Sequence, residues 1–170
     1  MIVDLPALVG KYRTKGILLD SNLLVFFFVG SVAPELVENF KRTRNQGFTG
    51  EEFSLLQHII KAVSRVATTP HILTETSNFV CQLQGKARQT ALQVIAQAVQ
   101  NFKERRAESK KLVQSNAFFS FGLTDCAILD LPPKKYLVLS VDAALVRNLQ
   151  KRGIDAINFN HLRQQGWQQG

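Results

Sequence analysis

Apolar residues in this chain fall into two patterns, short unbroken runs and stripes at helical period, and the two alternate from end to end. Residues 16–19 form a short apolar run closed by the polar triplet Asp20, Ser21, Asn22, and apolar residues resume at Leu23. This predicts a strand, a sharp turn and a helix. Residues 35–41 predict a short helix, and 43–50 carry the turn chemistry of a loop. Thr49 with Glu52 three residues on forms a capping box, followed by Phe53, Leu56, Ile60, Val63 and Val66 at helical spacing. After Thr69-Pro70 a short strand is predicted over 71–74, and Glu75 opens a helix toward Leu83. Residues 87–111 predict one long amphipathic helix with the stripe Leu92, Ile95, Ala96, Val99 and Phe102. A helix over 123–131 has Thr124 and Asp125 in its first turn and stops at Pro132-Pro133. The clearest strand covers 136–141. Asp142 starts a helix over 143–152, and a last strand covers 154–157.

Strands alternating with helices predict an α/β fold, a three-layer α/β/α sandwich around a central parallel sheet. In such sheets ligands sit beyond the carboxyl ends of the strands, near a switch point in strand order. The 170 residues predict a single domain over 1–170, with a helical extension at about 34–66 and a frayed tail at 164–170. At this size folding buries roughly 70% of the chain's surface, so a 45% hydrophobic sequence builds a core without staples. Cys81 and Cys126 are too few for a disulfide framework and read as reduced, buried thiols. The seven-residue run from Leu23 to Val29 falls far short of the ~20 residues of a spanning helix. The first ten residues have no basic cluster before an apolar stretch, as a secretory signal would. The expectation is a cytoplasmic protein with no membrane partner.

Net charge adds a partner class. Twenty-one basic against 13 acidic residues leave +8, spread over the whole chain, which favours polyanions such as nucleic acid.

The few acids fall at notable places. Asp20, Glu75 and Asp142 each follow a predicted strand, and Asp125 opens a helix. On adjacent parallel strands, three of these carboxylates project from one sheet edge, and a nearby helix supplies the fourth. Four carboxylates in one cleft repel one another unless a counter-charge is present. A divalent cation resolves the conflict, and a donor set of oxygens without sulfur or imidazole suits Mg²⁺ or Mn²⁺. Each acid also has an ordinary role open to it. Asp125 and Asp142 serve as helix caps and Glu75 as a first-turn acid. Asp20 is harder to explain that way, because its triplet interrupts an otherwise apolar stretch.

These segments together resemble the PIN domain, a metal-dependent ribonuclease fold found in toxin–antitoxin pairs and RNA-processing nucleases. The resemblance lies in Ile17-Leu18-Leu19-Asp20-Ser21-Asn22, Ile72-Leu73-Thr74-Glu75, Gly122-Leu123-Thr124-Asp125 and Leu139-Ser140-Val141-Asp142, in the family's order. The closing Lys151-Arg152-Gly153-Ile154 fits too, so about residues 16–160 are covered. The resemblance implies that Asp20, Glu75, Asp125 and Asp142 hold one or two Mg²⁺ or Mn²⁺ ions, with Asn22 and Ser140 orienting carboxylates. It implies hydrolysis of RNA, an antitoxin-like protein partner for a toxin member, and a homodimer as one use of the extension. Ser140 stands where many members have Thr, and 34–66 is longer than in compact toxins.

Arg147 and Lys151, four apart on one helix face, are the RNA-contact candidates. The basic cluster from Lys103 to Lys111 is read as a solvated helix tail interleaved with Glu104 and Glu108. Phe26, Phe27 and Phe28 are assigned to the core. His58, His71 and His161 form no ligand pair, and no Gly-x-Gly fingerprint or P-loop occurs. Two other readings stay open. One is a non-catalytic PIN-like module that binds RNA or protein. The other is a haloacid-dehalogenase-type phosphatase, against which Asn22 stands where that family places a second Asp.

Overall fold

Ile17, Leu18 and Leu19 are all buried, as are Leu137 through Ser140, which is how strands covered on both faces read. The computed structural model describes residues 4–166. Its strands are β1 (Ile17–Leu19), β2 (Val66–Thr68), β3 (Lys103–Glu104), β4 (Leu137–Ser140) and β5 (Ala156–Asn158). Its helices are α1 (Leu5–Tyr12), α2 (Ser21–Val32), α3 (Leu36–Asn39), α4 (Lys41–Asn45), α5 (Gly50–Lys61), α6 (Pro70–Val80), α7 (Gly85–Val99), α8 (Ser109–Leu112), α9 (Phe118–Leu129), α10 (Ala143–Lys151) and α11 (Phe159–Gly166). The strands form one all-parallel sheet in the order β3-β2-β1-β4-β5. The chain steps outward from β1 to β3 on one side and then returns to build β4 and β5 on the other. Right-handed crossovers place the two sets of connecting helices on opposite faces, giving the α/β/α sandwich. The order reverses between β1 and β4, the place at which open α/β sheets commonly bind their ligands. Among the described residues no helix is long and apolar enough to cross a membrane.

Several boundaries differ from the sequence expectation. The strand expected over 71–74 is the body of α6, and the real strand is Val66–Thr68, pairing with Ile17 and Leu18. The cause is local: the Thr69 side chain accepts from the Ile72 N–H, and Pro70 occupies the first helical turn, where its missing N–H costs nothing. Glu75 therefore sits in mid-helix and does not follow a strand. The helix from Thr49 has its capping box but ends at Lys61, so Val66 belongs to β2. Residues 43–45, expected in a loop, complete α4. The long helix over 87–111 stops at Val99. Phe102 packs on Phe28, ring centroids 6.4 Å apart, and returns the chain to the sheet edge as β3. Helix α1 was not foreseen in the sequence. Of the tail at 164–170, residues 164–166 are helical and the others lie outside the described residues.

The core is aromatic around α2, which is apolar on every side. Phe26 stacks on Phe48 at 4.1 Å and meets Phe53 and Phe159 edge-on, so the 34–66 segment is built into the core. Arg163 and Glu52, both largely buried, form a 2.6 Å ion pair that ties α5 to α11. Phe26 and Phe28 are fully buried, and both cysteines are free, Cys126 buried and Cys81 half-buried.

Candidate active site

Asp20 leaves the carboxyl end of β1 next to β4, where Leu19 pairs with Leu139. It is only 4% exposed. Its Oδ1 caps α2 by accepting the Leu23 N–H at 2.8 Å. Its Oδ2 accepts from the Val141 N–H at 3.1 Å and from the Ser140 hydroxyl. Burial pushes its carboxyl above the usual range, against the pull of these hydrogen bonds, and the charge of Asp142 adds to the rise.

Asp142 leaves the neighbouring strand end and caps α10, Oδ1 accepting from Ala144 N–H at 2.7 Å and Leu145 N–H at 3.0 Å. Its carboxylate is otherwise exposed. Glu75 reaches the same edge from the middle of α6, where its Oε2 accepts the Ser21 hydroxyl at 3.1 Å. Asp125 comes from α9. That helix is broken at Gly122, whose φ of 75° and ψ of −176° belong almost entirely to glycine, so Leu123 begins a fresh helical segment with Asp125 in its first turn.

Asp125 reports on the other three. Burial first, then the charges of Asp20, Asp142 and Glu75, push its carboxyl up to about 7. Asp125 therefore lies within the field of the other three. None of the four forms an ion pair among the described residues, whose pairs are Lys11–Asp155, Arg106–Glu104, Lys111–Asp130 and Arg163–Glu52. Also among the described residues, no three acidic, histidine or cysteine side chains are already gathered into a metal-binding group. The donor set nonetheless has the chemistry of a hard divalent cation: carboxylate oxygens only, with no cation paired to any of them among the described residues.

Two strand ends and two helices thus supply the quartet, where the sequence pattern assigns three acids to strand ends. Ser140 orients Asp20. Asn22 bonds no carboxylate among the described residues; its Oδ1 accepts from Arg42 Nη2 at 2.9 Å. Ser21, not singled out in the sequence, holds Glu75, and its place in the Asp-Ser-Asn triplet was the available signal. Arg42 was also missed, since nothing local in a basic stretch marks one arginine out. Arg147 and Lys151 are exposed on α10. With a rise of about 1.5 Å per residue, Lys151 lies roughly 13 Å along the axis from Asp142, toward the opposite sheet edge. Arg105 and Arg106, by contrast, directly follow β3 and lie on the same carboxyl edge as the acids. No protein family, curated protein or solved structure matches this chain.

Proposed function

We propose that this chain is a Mg²⁺- or Mn²⁺-dependent endoribonuclease of the PIN type, hydrolysing RNA phosphodiesters at the carboxyl ends of β1 and β4. One arrangement carries the reading: Ser140 links Asp20 to Asp142 at adjacent strand ends, Ser21 beside Asp20 holds Glu75, and burial together with these three acids pushes Asp125 up to about 7, with no cation paired to any of the four among the described residues. Asp20, Glu75, Asp125 and Asp142 would hold the ion. When bound, such an ion supplies an activated water and offsets charge building on the phosphate oxygens. The chain's own groups prepare that site. Ser140 and the backbone N–H of Leu23 and Val141 fix the Asp20 carboxyl, and Ser21 fixes Glu75. Asp142 is oriented by the first turn of its own helix. Asp125 accepts no hydrogen bond from the described residues, so its carboxyl is free to turn toward the others. The net charge of +8 draws a polyanion to a protein whose site is locally acidic. The size of the 34–66 segment favours an RNA-processing role over a toxin, and the reading is of a cytoplasmic protein.

A second reading, a non-catalytic PIN-like module that binds RNA or protein, has one observation in its favour: the acids are near one another but not gathered. Incubating labelled RNA with Mn²⁺, with Mg²⁺ and with chelator separates the two. Metal-dependent cleavage that falls by orders of magnitude in Asp20→Asn supports the nuclease. Binding without cleavage under every condition selects the module.

A further inference from the structure

The segment between α2 and β2 brings a cation against Asn22 and Phe79, near neighbours in sequence of two site acids. Arg42 Nη2 donates to Asn22 Oδ1 at 2.9 Å, and the guanidinium lies 3.7 Å from the centre of the Phe79 ring. Asn22 is two residues from Asp20, and Phe79 is one helical turn beyond Glu75 on α6, on the same side of that helix. The guanidinium is thus located by two neighbours of two site acids. Stacking on a ring also fixes its plane, which a flat, delocalised cation tolerates and a lysine does not reproduce.

Arg42 is not used up by these acids. It forms no ion pair among the described residues. Its Nε is buried with no hydrogen-bond partner among the described residues. A half-buried cation with an orphaned donor and no anion is held at a free-energy cost. Nε itself is closed to solvent, so an arriving oxyanion offsets the unpaired charge through the outer N–H groups of the guanidinium. Arginine is also the side chain best matched to a phosphate's oxygens, because two of its N–H groups are able to engage them together.

We infer that Arg42 is a substrate contact that binds a non-bridging oxygen of an RNA phosphodiester beside the acid site. This rests on the endoribonuclease reading above. The 34–66 segment then carries the positive charge that receives a phosphate which the acids alone would repel.

The test uses the whole chain and a short labelled single-stranded RNA. Binding is measured in chelator across a salt series, and cleavage kinetics in Mn²⁺, for the wild type, Arg42→Met and Arg42→Lys. Arg42→Met is expected to weaken binding about tenfold and to make the log-log salt slope shallower by about 0.7, the share of one phosphate on a single strand. Its Mn²⁺ requirement should not change, because Arg42 does not hold the ion. Arg42→Lys keeps the charge over Phe79 and so keeps the fold. It should retain the salt slope and show a KM raised several-fold, since it lacks the planar pair of donors. Wild-type affinity and slope in Arg42→Met, or, where that variant fails to fold, a wild-type KM in Arg42→Lys, overturns the inference. The two readings fail separately. A wild type that binds RNA but never cleaves it removes the nuclease and leaves Arg42 to be judged on binding. Cleavage lost in Asp20→Asn but untouched in Arg42→Met removes the Arg42 contact alone. A wild type that does not bind the RNA removes both.

Discussion

The Ser140 hydroxyl donates to Asp20 Oδ2 and, in the same arrangement, accepts the backbone N–H of Asp142 at 2.9 Å. One small side chain thereby sets how two site acids from adjacent strands stand to each other. Removing it leaves a buried carboxylate short of a donor, at a cost of about 1–3 kcal/mol. Ser140→Ala should also lower RNA cleavage by about 10- to 100-fold, as loss of a group that orients a metal ligand typically does. Ser140→Thr keeps the hydroxyl and should keep most activity. Equal cleavage by Ser140→Ala and wild type rules out this positioning role.

Asp142 offers a cleaner division between capping and charge. Asn caps helices about as well as Asp, so Asp142→Asn should leave the melting temperature nearly unchanged. If Asp142 is a ligand, cleavage should nevertheless fall by at least tenfold. A fully active Asp142→Asn protein makes this residue a helix cap and nothing more.

Away from the site, Asp155 anchors α1. Its Oδ2 accepts from Lys11 Nζ at 2.5 Å and from the Tyr12 hydroxyl at 2.7 Å, and these contacts hold its carboxyl below the usual range. A depressed folded-state value means the contribution is fully present above the unfolded value near 4 and is lost as pH falls through the folded value. Asp155→Asn should therefore destabilise the protein at pH 7, and the gap should narrow as pH falls below the unfolded value. Urea melts of both proteins across that range check it. A gap that is the same at pH 7 and pH 2.5 contradicts the assignment.

Gly122 connects backbone strain to the site. Its φ of 75° and ψ of −176° are costly for any residue with a Cβ, about 1–3 kcal/mol. No atom outside its chain neighbours crowds a Cβ at that position, so the expected penalty comes from the backbone alone. Gly122→Ala should lower stability by that amount and weaken cleavage further, because the break aims the Asp125 turn. Unchanged stability shows that the break is not enforced by this glycine.

How legible the fold was depended on where each signal was local. Asp20 closing an apolar run, the Thr49–Glu52 capping box and Asp142 before an amphipathic helix were readable, because cap chemistry and burial lie within a few residues. The strand at 66–68 was hidden because Val66 also fits the helical stripe of α5, and only pairing with β1 decides the matter. β3 is two exposed, charged residues, made a strand by its partner Ala67-Thr68 and by Phe102 packing on Phe28. At the site, residue types at element starts pointed to the four acids. The route by which Glu75 arrives, from mid-helix and held by Ser21, is a tertiary fact. So is Arg42 beside Asn22, contributed from 20 residues away.

If the four acids act as one divalent-cation site, calorimetric titration with Mn²⁺ reads it out. Because Asp125 is pushed up to about 7 by burial and its three neighbours, it holds a proton at pH 6 that a bound cation must displace. Titrations in buffers of different ionisation enthalpy should show a bound ion releasing more protons at pH 6 than at pH 8.5, because the Asp125 share is gone at the higher pH. Asp20→Asn should bind Mn²⁺ at least tenfold more weakly, and Asp125→Asn should show a smaller difference in proton release between the two pH values. Mn²⁺ that fails to bind, or that binds Asp20→Asn and Asp125→Asn as tightly as the wild type with the same proton count, contradicts the account.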